Sequence, residues 1–256
     1  MSSKIFETHA HYDDEQFEED RDELLASLVD RGIETVINIG ASIKGCRASI
    51  ELANKYEHVY AAVGIHPDEV GSLNEETYSW LKKQFHNEKI VAVGEIGLDY
   101  YWDNESHEVQ KKWFVEQLKL AKEIKLPVVI HSREATEDTL TIMKEYGREL
   151  RGVIHCFSGS VEVAREYVKM GYYLGIGGVV TFKNAKKLKE VVADTPIENL
   201  VLETDCPYLA PTPHRGKRND STYLEYVAKE IAEIKGITYE EVVSITRKNG
   251  KDLYGI

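Results

Sequence analysis

Lys4 to His11, KIFETHAH, reads as a short strand that ends in two histidines at positions i and i+2. Side chains alternate across a strand, so His9 and His11 share a face. Such a pair can close on one cation, because imidazole nitrogen ligates zinc and several other divalent first-row metals. A histidine pair serves equally well as satisfied core or surface residues. Its meaning therefore depends on where the chain places its other potential ligands.

Outward from this stretch, short apolar runs alternate with longer amphipathic ones. After Ile5–His9 the predicted strands are Thr35–Gly40, Val59–Gly64, Ile90–Glu95, Pro127–His131, Gly152–Phe157, Tyr172–Gly178 and Asn199–Asp205. Helical spacing falls between them, at Phe17–Asp30, Cys46–Tyr56, Glu75–Phe85, Glu108–Ile124, Thr136–Tyr146, Val161–Met170 and Asn184–Val192, with Tyr223–Ile234 and Tyr239–Leu253 closing the chain. Eight βα units imply a parallel (β/α)8 barrel, since parallel neighbours need crossover helices of one hand. A length of 256 residues suits one such unit. No linker or low-complexity tract divides the chain, so residues 1–256 are expected to form a single barrel domain.

Composition narrows the function classes. The balance of 42% hydrophobic and 30% charged residues is that of an ordinary globular protein. No window approaches the roughly 20 apolar residues of a membrane span, and no basic-then-apolar leader opens the chain, which predicts a cytoplasmic protein with no membrane partner. Cys46, Cys156 and Cys206 form no CxxC pair, so neither a disulfide framework nor a thiolate zinc site is expected. Alternation turns Cys156 and Cys206 away from the ligand candidates that precede them. A formal charge of −12 excludes a broad basic surface that coats nucleic acid. It leaves open a phosphodiester substrate held in one cleft by metal ions and a few local cations.

His9, His11, Glu95, His131, His155 and Asp205 all fall at or just beyond the C-terminal ends of predicted strands. In a barrel those ends converge on the face where barrel enzymes carry their active sites. Six such residues together point to a metal site. Glu203, two residues before Asp205, should face the same lumen one layer deeper and orient a ligand imidazole or accept from a bound water. His66 and Arg133 should approach the same face, and Arg215, Lys217 and Arg218 cluster just beyond the last strand, where a phosphate chain would leave the metals. Tyr100, Tyr101 and Trp102 follow strand four at the rim, as loop packing or as stacking surfaces for unpaired bases.

The motifs FETHAHYD, VGIHP, GEIGLDYY, LPVVIHSR, GVIHCFSGS, ETDCPYLAP and PHRGKRN, spread in order from residue 6 to residue 219, resemble those of the TatD family of metal-dependent deoxyribonucleases. The ending TRKNGKDLYGI resembles that family too, so the likeness spans nearly the whole chain. It implies two divalent ions, magnesium, manganese or zinc, with His9, His11 and Asp205 around one and His131 and His155 around the other. Glu95 would bridge both. Thr8 stands where many relatives carry serine. The implied activity is hydrolysis of DNA by a metal-activated water, removing nucleotides 3′ to 5′ from single strands, with Asp205 as the group that accepts the water's proton.

Two other hydrolase classes share the layout. One is an amidohydrolase cleaving a C–N bond; dihydroorotase-like relatives bridge their metals with a carbamylated lysine, where this chain supplies Glu95. The other cleaves the ester of an aminoacyl-tRNA. A metal-stabilised binding protein without catalysis is a third reading, distinguished by whether chelation abolishes turnover. Oligomeric state is not encoded in any of these patterns.

Overall fold

The computed structural model describes residues 4–102 and 104–256. Its eight strands are β1 (Ile5–Ala10), β2 (Ile33–Gly40), β3 (Val59–Val63), β4 (Ile90–Asp99), β5 (Val128–Arg133), β6 (Gly152–Ile154), β7 (Tyr173–Ile176) and β8 (Leu200–Leu202). They pair in parallel in chain order. Between and after them run α1 (Arg21–Ser27), α2 (Ile43–Lys55), α3 (Glu75–Gln84), α4 (His107–Ile124), α5 (Thr136–Ile142), α6 (Val161–Lys169), α7 (Lys186–Asp194), α8 (Leu224–Lys235) and α9 (Tyr239–Tyr254). This is the expected (β/α)8 barrel. No helix among the described residues is long and apolar enough to cross a membrane.

Strand alternation sorts the apolar residues into two cores. Phe6, Ile37, Ala62, Val129, Val153 and Val201 form the lumen cluster, which Leu253 and Tyr254 of α9 close from below. Tyr254 stacks on Phe6 and donates its hydroxyl to the Thr8 carbonyl at 2.9 Å. The opposite strand faces, with Ile5, Val36, Val63, Ile130 and Leu174 among them, pack against the helices.

The ring closes between β1 and β8 through few ladder bonds. Ala10 and Cys206 make an isolated parallel bridge, Asp205 N donates to His9 O at 3.0 Å and His11 N to Cys206 O at 2.9 Å. Side chains supply the remainder. Thr8 Oγ1 donates to Leu202 O at 2.8 Å, and the buried Glu7 carboxylate accepts from Thr204 N at 2.9 Å and Thr204 Oγ1 at 2.6 Å. Burial pushes the Glu7 carboxyl up to about 8 against these donors.

Several boundaries differ from the sequence expectation. The first helix starts at Arg21, because Asp14 caps a separate 3-10 turn at Glu15–Phe17. The second begins at Ile43, three residues early, where Ser42 accepts from Gly45 N at 3.0 Å. β6 and β8 leave their ladders before His155 and Asp205, whereas β4 runs on past Glu95 to Asp99. A register shift between Val93 and Ile96 absorbs the irregularity in that long strand.

Candidate metal centre

The residues expected at the C-terminal face do converge there. A pocket of about 440 Å³ opens over the barrel and is lined by His11, Glu95, His131, His155 and Asp205, with His66 at its side. His9 lies beneath, fully buried and stacked on His155 at 3.8 Å between ring centroids. Glu95 is within the continuous strand β4 rather than at its end, as are His9 in β1 and His131 in β5.

Glu95 organises the cluster because its two oxygens face different partners. Oε1 lies 2.8 Å from His131 Nδ1 and 2.9 Å from His155 Nε2. Oε2 lies 3.5 Å from His9 Nε2 and 3.9 Å from His11 Nε2. On that second side Asp205 Oδ1 stands 3.6 Å from His9 Nε2 and 3.3 Å from His11 Nε2. Two triplets of donor atoms result, His9–His11–Asp205 and Glu95–His131–His155, each with its atoms within 4.8 Å of one another. Burial pushes the Glu95 carboxyl up, but the imidazoles of His155 and His131 overcome this and hold it well below its ordinary range.

The far side of two imidazoles, His11 and His131, is held by an acceptor, which fixes the nitrogen left for a ligand. His11 Nδ1 donates to the Ile39 carbonyl at 3.0 Å, so Nε2 keeps its lone pair. His131 Nε2 meets Asp99 Oδ2 at 2.9 Å, leaving Nδ1 toward Glu95. His155 Nδ1 faces Glu203 Oε1 at 3.7 Å. The same Glu203 oxygen accepts from Cys156 N at 2.5 Å, and the carboxylate occupies the space that a side chain on Gly175 would fill. Glu203 thus sits one layer below the pocket.

These donors fit divalent cations. His9 Nε2 and His11 Nε2 approach to 3.1 Å with the His11 lone pair turned inward, and His9 Nδ1 is buried without a partner. Imidazole nitrogens and carboxylate oxygens together suit zinc or manganese, and the oxygen-rich edge suits magnesium.

His66 stands beside the pocket as a donor. Its Nδ1 accepts from Asp68 N at 3.2 Å, so the neutral ring carries its proton on Nε2, which is 4.0 Å from Glu95 Oε1. Burial, reinforced by His131, pushes its pKa down to about 3, and the ring stays neutral. Arg133 lies at the rim with its guanidinium over the Tyr101 ring, 3.8 Å from the centroid, rather than inside the pocket. Arg215 and Lys217 line a neighbouring groove of about 360 Å³ that shares Tyr208 with the metal pocket. Arg218, the third cation of that cluster, is committed to Asp20 at 2.8 and 2.5 Å. Tyr100 is packed, its ring on His107 and its hydroxyl on Asp138, while Tyr101 and Trp102 are exposed. Cys156 lines a separate apolar cavity of about 190 Å³ behind the β6–β7 rim.

Two features lie outside the sequence expectation. Asp99 follows Glu95 by four residues and so shares its strand face, but the predicted strand stops too early to include it. Asp13, Asp14, Asp68 and Glu69 also line the pocket, which carries no lysine or arginine among the described residues. Burial and the nearby Asp99 raise the Asp68 carboxyl to about 6.

A parallel barrel with several His and carboxylate groups able to hold a metal, among them the two triplets beside Glu95, has the layout of a metal-dependent hydrolase. Residues 6–255 match the family described as TatD related DNase, and the chain belongs to the TatD family. It is 47% identical over 253 residues to the Bacillus subtilis protein named "Uncharacterized metal-dependent hydrolase YabD", covering 98% of this chain and 99% of that one. The fold superposes on the crystal structure of YjjV, a TatD homologue from Escherichia coli K12, with a TM-score of 0.93 at 31% identity over 100% of both chains. A TatD family hydrolase from Entamoeba histolytica gives 0.87 at 25% identity, over 99% of each chain.

Proposed function

We propose that this protein is a deoxyribonuclease that holds two divalent cations and removes nucleotides from the 3′ end of single-stranded DNA. The observation that carries the reading is the division of Glu95, Oε1 toward His131 and His155 and Oε2 toward His9 and His11. A carboxylate in that position, with His9, His11 and Asp205 on one side and His131 and His155 on the other, would hold divalent cations, which would supply the Lewis-acid chemistry used for in-line displacement at phosphorus. Bound there, the cations supply charge neutralisation at phosphate oxygens and an acidified water.

The protein's own groups do the remaining work. Asp205, whose Oδ1 faces His9 and His11, accepts the water's proton on its other carboxylate oxygen and returns it to the departing oxygen. His66 Nε2–H donates to a non-bridging oxygen. Asp99 keeps His131 turned to the pocket, and Glu203 lies beneath His155 with its Oε1 3.7 Å from Nδ1. Arg215 and Lys217 bind the phosphates that continue beyond β8.

One observation favours a second reading. The acids Asp13, Asp14, Asp68 and Glu69 at the mouth suit a cationic group, such as the ammonium of an aminoacyl ester at a tRNA end. Metal-stripped protein, resupplied with single cations and offered labelled single- and double-stranded DNA, RNA and charged tRNA, decides between them. Cation-dependent shortening of single-stranded DNA from its 3′ end is expected. Release of the amino acid with intact DNA would transfer the assignment to the ester hydrolase.

A further inference from the structure

Among the described residues the exposed large hydrophobic side chains are Val29, Tyr101, Trp102, Tyr208 and Leu209. Four of the five follow the C-terminal ends of β4 and β8, in two patches, and of these Tyr208 lines the metal pocket. Tyr101 and Trp102 follow β4, while Tyr208 and Leu209 follow β8. In a ring of eight strands closed through Ala10 and Cys206, β4 and β8 are four places apart, and the two patches face each other across the centre.

Each patch is hydrogen-bonded to a residue of the centre. Asp99 Oδ1 accepts from Tyr101 N at 2.9 Å and Trp102 N at 3.1 Å, while its other oxygen holds His131. Tyr208 N donates to the Asp205 carbonyl at 3.0 Å, and its hydroxyl donates to Asp14 at 2.7 Å. Each patch also has a cation beside it. The Arg133 guanidinium covers one face of the Tyr101 ring at 3.8 Å from its centroid and lies 5.4 Å from that of Trp102, while Arg215, itself over the Phe182 ring at 4.4 Å, and Lys217 line the groove next to Tyr208. Acids occupy the arc of the mouth from β1 to β3, which repels a phosphate backbone from that side.

We propose that these patches are stacking sites for the unpaired bases on either side of the scissile phosphate, Trp102 with Tyr101 on one rim and Tyr208 on the other. The inference rests on the phosphodiesterase reading and adds to it how the substrate is gripped. Every base has a π face, so stacking gives affinity without sequence choice, and a duplex, with its bases covered on both faces, cannot be held this way. The cations next to each patch bind the phosphates that lead away from it. Anchoring both neighbours splays the strand and presents the phosphate between them to the cations.

The test compares octathymidylate with the same octamer carrying 5,6-dihydrothymine throughout, which keeps the phosphates but removes the flat aromatic ring. With the metal-loaded wild-type protein, KM should rise about tenfold for the saturated octamer while kcat changes less. Trp102→Ala and Tyr208→Ala should each raise KM for octathymidylate about tenfold and shrink the difference between the two octamers; Trp102→Phe should recover most of it. Equal KM for both octamers in a wild-type protein that cleaves them removes the stacking sites and leaves the nuclease reading standing. If no DNA is cleaved, the nuclease reading falls, and binding decides for the patches. Octathymidylate that quenches tryptophan emission in wild type but not in Trp102→Ala then upholds them, and unchanged emission overturns them.

Discussion

At the scale of single residues, Glu95 separates the two donor triplets and also joins them. Glutamine in its place keeps the shape but loses the charge and one good ligand oxygen. Glu95→Gln is therefore expected to bind one cation well and the second poorly, with DNA cleavage lowered at least about 100-fold, the scale on which lost electrostatic groups act. Metal stoichiometry by elemental analysis, measured beside turnover, checks this; a fully active protein with two cations would show that Glu95 is not the bridge. Asp99 acts one bond further out. An asparagine side chain in its place could still accept from Tyr101 N and Trp102 N but would no longer offer His131 Nε2 a charged acceptor. Asp99→Asn is expected to weaken binding at the Glu95–His131–His155 triplet by about 10- to 100-fold while sparing His9–His11–Asp205. Stepwise titration with zinc or manganese separates the two affinities, and two unchanged steps would deny Asp99 this role.

At the scale of elements, the strand ends carry the chemistry and α9 carries the closure. Glu34 near the start of β2 receives Arg247 and Lys251 from α9, one of the Arg247 contacts at 2.7 Å and the Lys251 contact at 3.3 Å. The Arg247 guanidinium holds the Glu34 carboxyl below its ordinary value near 4.5. A depressed carboxyl contributes stability above its unfolded value and loses it as pH falls through the folded one. Glu34→Gln should thus cost about 1 kcal/mol at pH 7, a Tm decrease of about 2 to 4 °C, since the pair is partly solvated. The difference from wild type should shrink as pH falls from the ordinary glutamate range through the lowered folded value and vanish in acid, and thermal melts across a pH series read it. Element positions are legible in the sequence because runs of Val and Ile alternate with amphipathic stretches. Boundaries are less so. The predicted β4 stops at Glu95, short of Gly97, where a Cβ would collide with the His131 carbonyl oxygen and the glycine lets two strands approach. Losing those last residues hides Asp99. The remaining ligand candidates are visible because each sits in or beside its strand, whatever the ladder's exact end. Pairing across space, such as Arg133 on Tyr101 or Arg218 on Asp20, has no local signature and cannot be read from the chain.

At the scale of the whole molecule, the charge distribution decides how a polyanion can approach. The chain carries −12, and acids line the pocket from the β1 to β3 side. Under the proposed nuclease reading a broad attraction to DNA is not available, and affinity would come from a few cations placed beyond the acids. Arg218 is spent on Asp20, which leaves Arg215 and Lys217 in the groove that shares Tyr208 with the metal pocket. Each phosphate contact by a free cation releases counterions, so affinity for a single strand falls with log salt by a slope of about 0.7 per contact. Replacing Arg215 and Lys217 together by alanine should weaken binding of single-stranded DNA about tenfold at about 0.1 M salt. It should also flatten the salt slope by about 1.4 and slow saturated turnover less than it raises KM. Equilibrium binding of a labelled oligonucleotide over a salt series measures both quantities. An unchanged slope would mean that these two side chains are simply solvated, and that the strand leaves the metals by another arc of the rim.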